Sequence, residues 1–237
     1  MSAPQTVELD AEYRALREEC GLLDRSERGK LLVSGPDAAE YLQGQLTNDI
    51  EALAPGAGCY AALLDRKGHL QADMRVLRPG EEPDLWLDTE AEALAITQRH
   101  LETYKIGRQV EVAELSAERA ILSLLGPATG AVAGTPPLPP YACEELALAG
   151  VDCLAAGTAE GLDLILAAAD RDRLWRALLE AGAAEVSAAA AEILRVEAGR
   201  ARFGAEMSAE TMPAEAGIVE AAVSFTKGCY IGQEPVA

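Results

Sequence analysis

The chain has 237 residues, 49% of them hydrophobic and 25% charged, a composition that argues against a disordered or fibrous protein. Its 39 acidic residues outnumber 20 basic ones for a net charge of -19. Without an interrupting basic stripe, that balance argues against direct nucleic-acid binding. No apolar run reaches the roughly 20 residues a bilayer demands, and residues 1–10 show neither a signal-peptide nor a transit-peptide pattern, so a cytoplasmic location and no membrane partner are expected. Five cysteines, at 20, 59, 143, 153 and 229, form no C-x-x-C pair, and their odd number fits a reducing compartment.

The first third predicts an amphipathic helix over 12–20 and an apolar strand over 31–33 that stops at Ser34-Gly35-Pro36. A helix follows, opened by Pro36 and Asp37 and turning Tyr41, Leu42 and Leu46 inward, because proline and an early carboxylate suit a first turn. Strands over 59–64 and 70–77 flank Asp65-Arg66-Lys67-Gly68-His69, a connection of hairpin length. In the second of these, Leu70, Ala72, Met74 and Val76 share one face and Gln71, Asp73 and Arg75 the other. A strand over 85–87, a helix over 91–104 and a strand pair over 109–115 and 120–125 come next. Residues 126–140 hold prolines and glycines too densely for a regular element and are expected to link two units, 1–125 and 126–237. Beyond them come strands over 151–154 and 162–167, a helix over 170–181 stopped by Gly182, and a helix over 188–198 between Ser187 and Gly199. Hairpin-length connections predominate, so the fold class is α+β with antiparallel sheets.

Chemistry concentrates at the end of the chain, in Lys227-Gly228-Cys229-Tyr230-Ile231-Gly232-Gln233-Glu234. A nearby ammonium favours the thiolate and a glycine uncovers the sulfur, so Cys229 with Lys227 reads as a reactive thiol, against the alternative of a glycine turn that happens to hold a cysteine. Asp73 is an acid on the polar face of a strand, able to accept hydrogen bonds from a cationic or amidine-like ligand or to shuttle a proton, or simply to sit in water. Arg195 in Arg195-Val196-Glu197-Ala198-Gly199 follows Glu192 by three residues and reads locally as its ion-pair partner. His69 and His100 have no metal-ligand spacing to a partner, and no metal site is expected.

The octapeptide resembles the signature of the YgfZ-type folate-binding proteins, relatives of the glycine-cleavage aminomethyltransferase. Two further stretches agree in order, Tyr41-Leu42-Gln43-Gly44-Gln45-Leu46-Thr47-Asn48-Asp49 and Asp65-Arg66-Lys67-Gly68-His69-Leu70-Gln71-Ala72-Asp73. The resemblance implies two interleaved ferredoxin-like α+β units, normally followed by a small C-terminal β-barrel that this sequence does not include. It implies tetrahydrofolate, or a one-carbon derivative, as cofactor, with Asp73 beside its reactive part, Glu197 holding the pterin, and Arg195 of the same stretch as a further cofactor-binding residue. It further implies a role in assembling or repairing iron-sulfur clusters, with client enzymes or assembly proteins as partners. One thiol cannot replace the four cysteines that usually hold a cluster, so Cys229 would act transiently. A folate-dependent aminomethyl or methyl transferase is the competing expectation, and whether the chain is an enzyme stays open at this point. Against the transferase, Cys229 and Gln233 stand where its pattern has a large apolar and a basic residue, and Ala72 where it has an acid.

Overall fold

The computed structural model describes residues 3–236. In chain order its first elements are α1 (Ala3–Glu18), β1 (Gly21–Asp24), β2 (Gly29–Ser34), α2 (Ala38–Gln43), β3 (Ala57–Leu64), β4 (Leu70–Arg78), β5 (Leu85–Thr89), α3 (Ala91–Tyr104) and β6 (Glu111–Glu114). There follow β7 (Arg119–Leu125), α4 (Thr129–Ala133), β8 (Cys143–Leu148), β9 (Val151–Gly157), β10 (Gly161–Ala167), α5 (Arg171–Glu180), β11 (Ala184–Glu185), α6 (Ala188–Glu197) and α7 (Val219–Ala222). No helix among the described residues is long and apolar enough to cross a membrane.

The fold is α+β with two sheets, built in two compact units whose segments alternate along the chain: Met1–Ser26 with Ala117–Arg200, and Glu27–Ser116 with Ala201–Ala237. The units therefore do not follow a division at residue 126. The stretch 126–140 lies inside the first unit, where Gly126 N–H donates to Glu160 O at 2.8 Å and Leu138 packs on that unit's core.

The first unit's sheet runs β11-β1-β7-β10-β9-β8. It is mixed rather than antiparallel, because β11 enters after α5 and lies parallel to β1, Gly21 opposite Ala184. Leu122, Leu124, Leu162, Leu164 and Leu166 alternate toward α5, which buries Leu174 and Leu178 against them. Helix α6 opens where Ser187 Oγ accepts from Ala190 N–H at 3.3 Å and closes at Gly199, whose φ of +65° suits the turn out of the helix.

The second unit's sheet, β3-β4-β5-β2-β6, is wholly antiparallel. The expected pairing of residues 109–115 with 120–125 does not form: β6 pairs with β2 here, and β7 lies between β1 and β10 in the other sheet. One face carries Leu31, Val33, Ala72, Met74, Val76, Leu85 and Leu87 into a core with Tyr41 and Leu42 of α2 and Leu101 of α3. On the opposite face Ala62, Leu64 and Leu70 pack with Met207, Ala222 and Tyr230; Leu70 parts from the face of Ala72, contrary to strict alternation, because the β3–β4 register slips between Leu63 and Leu64. This opposite face also carries Lys30, Asp73, Arg75 and Asp88, because strand side chains alternate.

Candidate functional site

All three stretches that carry the resemblance meet in the second unit. The turn of the β3–β4 hairpin is closed by Asp65, whose Oδ1 accepts from the N–H groups of Lys67 at 2.8 Å and His69 at 2.9 Å. Gly232 packs on that turn with φ +82°, and a Cβ there would stand 2.3 Å from Asp65 O, so only glycine fits. The segment after α2 tethers the other side. Buried Thr47 donates from Oγ1 to Ala222 O at 2.5 Å and accepts from Ala62 N–H at 2.8 Å, while Asn48 Nδ2 donates to Tyr60 O and Ala221 O.

Lys227 does not fold toward Cys229 as the sequence led us to expect. Its ammonium donates to the carbonyls of Gln43, Leu46 and Asn48 at 2.5, 2.6 and 2.8 Å. These are orphan acceptors at and beyond the end of α2, and a lysine satisfies them well. Burial pushes this amine down to about 8, with Asp49, Cys59 and Glu51 pulling the other way. Its nitrogen also lies 5.0 Å from the centroid of the buried Tyr230 ring. Cys229 is exposed, whereas Cys20, Cys143 and Cys153 are buried and Cys59 half-buried. Burial raises the Cys59 thiol to about 12 and the Cys153 thiol to about 11. No group of three His, Cys, Asp or Glu among the described residues is arranged to hold a metal.

Asp73 lies on β4 away from the main core and is not simply a solvated strand acid. Tyr60 on β3 donates its phenol to Oδ2 at 2.8 Å, and Thr89 on β5 donates to the Asp73 main-chain carbonyl at 2.6 Å. The other carboxylate oxygen, Oδ1, is buried without a hydrogen-bond partner. Burial raises the Asp73 carboxyl, opposed by Tyr60 and the positive charge of Arg28 and reinforced by Glu90. An unpaired buried acceptor is costly, and this oxygen is left open to a donor.

Sequence reasoning missed the charges beside it. Asp88 on β5 is 4% exposed and gripped from two sides. Its Oδ1 accepts from Arg28 Nε at 2.7 Å and lies 2.6 Å from Arg28 Nη2, and its Oδ2 accepts from Arg75 Nε at 2.7 Å. Arg28 Nη1 also pairs with Glu90, and Lys30 Nζ donates to Arg28 O at 2.7 Å. The two guanidiniums hold the Asp88 carboxyl far below the usual carboxylate range, against the burial that opposes its charge. The signal lay in Leu85-Trp86-Leu87-Asp88-Thr89, where alternation sets Asp88 on the face of Asp73 and Arg75.

Arg195 and Glu197 belong to the first unit, at the end of α6. Arg195 takes its local reading: Nη2 lies 2.6 Å from Glu192 Oε1, and Nη1 donates to Arg200 O. Glu197 is exposed and accepts the phenol of Tyr13, from α1, at 2.6 Å.

These sites sit in a chain whose residues 4–227 match the GCVT N-terminal domain family. The protein is a member of that family, whose proteins bind tetrahydrofolate. It is 33% identical over 239 residues to an aminomethyltransferase of Rubrobacter xylanophilus, covering 97% of this chain and 64% of the relative. It is 32% identical over 240 residues to the aminomethyltransferase of Shouchella clausii, covering 94% and 64%. The chain thus spans less than two thirds of these relatives' length. Among solved structures, the glycine cleavage system aminomethyltransferase T from Bartonella henselae superposes with a TM-score of 0.85 at 25% identity, covering 96% of this chain and 64% of that one.

Proposed function

We propose that this chain is the tetrahydrofolate-binding part of a YgfZ-type factor that acts in the cytoplasm in assembling or repairing iron-sulfur clusters of client enzymes. The observation that carries the reading is the division of labour within the octapeptide. Lys227 satisfies the end of α2, Tyr230 fills a core, and Gly232 closes on the hairpin turn. Cys229, the octapeptide's only thiol, is exposed to solvent. As a thiolate on a braced loop, Cys229 can attack the outer sulfur of a donor persulfide, breaking its S–S bond and releasing the donor thiol, or can ligate iron transiently, with the client supplying the remaining ligands. The orphaned oxygen of Asp73 suits a single N–H donor of the folate's reactive, reduced ring, and the carboxylate of Glu197 suits the paired N–H donors of the pterin edge. Folate supplies one-carbon chemistry when bound; Asp73 and Glu197 are the carboxylates proposed to hold it. Arg195 is proposed to brace the α6 end that carries Glu197, and Lys227 to brace the thiol loop, neither of them touching the ligand.

The second reading, an aminomethyl or methyl transferase, is favoured by the names of the relatives above. One substitution separates the two. Cys229→Ala should fold normally and bind tetrahydrofolate as the parent does, measured by calorimetry, yet fail to restore iron-sulfur enzyme activity in cells lacking the factor. Full restoration would overturn the maturation role and leave the transferase.

A further inference from the structure

Asp73 and Asp88 face the same side of one sheet, on neighbouring strands, and only one of them receives a guanidinium. Gly29 and Met74 lie opposite Thr89 from its two sides, which sets Arg28 and Asp73 on either side of Glu90, and the positive charge of Arg28 acts on the Asp73 carboxyl. Even so, its Nε and Nη2 go to Asp88, and its Nη1 goes to Glu90. Arg75, two residues along from Asp73 on the same face of β4, closes on the far oxygen of Asp88. Lys30, the remaining cation on that face, is anchored to the main chain at Arg28 O. Asp73 is the carboxylate of the pair to which no cation among the described residues donates, left with one phenol and a buried oxygen without a hydrogen-bond partner.

We propose that Asp88, helped by Glu90, is a positioning residue for the Asp73 site: by occupying the Arg28 guanidinium it keeps that cation off Asp73 and reserves the carboxyl for a ligand's N–H donors. This rests on the folate reading for the identity of the ligand. A buried carboxylate binds a guanidinium strongly when the geometry permits two parallel hydrogen bonds, so an unoccupied Arg28 would close on Asp73 Oδ1 and compete with any ligand. Asp88 is better placed to win Arg28, since Arg75 fixes it from the other side. Glu90, immediately before α3, holds the remaining donor.

The groups that face Asp73 are Tyr60 from β3, Arg28 from the segment before β2, and Glu90 after β5, with Arg75 and Asp88 completing the cluster. In Asp88→Asn the amide no longer holds Arg28, the guanidinium turns to Asp73, and the Asp73 carboxyl titrates at lower pH. Carbon NMR of the full chain labelled at aspartate carboxyls reads that titration directly. Tetrahydrofolate affinity at neutral pH should fall about tenfold, the weight of one charge-assisted hydrogen bond. Adding Arg28→Gln to Asp88→Asn should reverse the titration shift. An Asp73 titration that is unmoved or raised in folded Asp88→Asn, or a lowered one that ignores Arg28→Gln, would overturn the proposal. Should Asp88→Asn not fold, Glu90→Gln decides by the same measurement, with a smaller shift of the same sign expected and an unmoved titration counting against. The titration requires no folate: the expected shift in a protein that binds no tetrahydrofolate would sink the folate reading and sustain the positioning role.

Discussion

Two carboxylates implied by one family resemblance live in opposite surroundings. Asp73, on the second unit's sheet, has one oxygen on a phenol and the other buried and unpaired. Glu197, on the last turn of α6 in the first unit, is exposed and also accepts a phenol, that of Tyr13. Each is oriented by a tyrosine, so the difference is water. An exposed acid is already solvated and gains little from a ligand's donor, whereas a buried unsatisfied acceptor gains nearly the full interaction. On the folate reading proposed above, affinity should therefore depend on Asp73 more than on Glu197.

The largest expected effect tests that asymmetry. Asp73→Ala should weaken tetrahydrofolate binding about a hundredfold, as loss of a buried charged acceptor does, and Glu197→Gln about fivefold, as at an exposed pair. Calorimetry on both, at one pH and ionic strength, compares them. Equal losses, or a larger loss at Glu197, would break the comparison.

Much of this contrast was out of reach of the sequence, for identifiable reasons. Local patterns were readable: residues 91–104 form α3 with the expected bounds, the hairpin turns at Gly68, and Ser187 caps α6. Pairings between distant segments were not. Residues 109–115 and 120–125 read as neighbours because they are neighbours in sequence, yet the chain crosses from one unit to the other at Ser116 and Ala117. Strand β1, four residues directly after a helix, and β11, two residues long, carry too little periodicity to be seen. Strand β8 reads Cys-Glu-Glu-Leu-Ala-Leu, and its two adjacent glutamates obscure the alternation. At the site, Asp73 was visible as an acid on a strand, but its surroundings depend on Tyr60 and the charges of Arg28, Asp88 and Glu90, contributed by three other segments. Lys227 was misread because proximity in sequence to Cys229 carried more weight than three carbonyls some 180 residues earlier.

A middle-sized effect concerns stability. Burial raises the Asp73 carboxyl above its unfolded value, so the native state binds this proton more readily than the unfolded chain does. Stability is consequently lost as pH rises from the ordinary carboxylate range through the raised value, and that cost persists at neutral pH. Asp73→Asn removes the charge while keeping an acceptor for Tyr60, so it should stabilise the protein by ~1 kcal/mol near neutrality. The gain should vanish as pH falls below the ordinary carboxylate value, where Asp73 is protonated in both states. Thermal melts across pH check this, and a gain independent of pH would assign the effect to packing rather than charge.

The smallest effect lies at the exposed site and asks whether its phenol holds in solution. Tyr13 is raised above the ordinary tyrosine value, first because its hydroxyl donates to Glu197, then by burial and by the negative charge of that same carboxylate, with Arg17 opposing. The neutral phenol is the donor, so losing its proton breaks the bond and sets two anions together. In Glu197→Gln the amide still accepts but carries no charge, and the Tyr13 titration should move down toward the ordinary value. In Tyr13→Phe, Glu197 loses its only described tether and tetrahydrofolate affinity should drop about twofold, within the range of an exposed interaction. Carbon NMR of labelled tyrosine rings through the alkaline range resolves Tyr13 from the other five. A Tyr13 titration identical in the parent and in Glu197→Gln would mean that Glu197 is not held by the phenol. The two carboxylates would then differ in orientation as well as in burial, and the fivefold expectation for Glu197 would lose its structural basis.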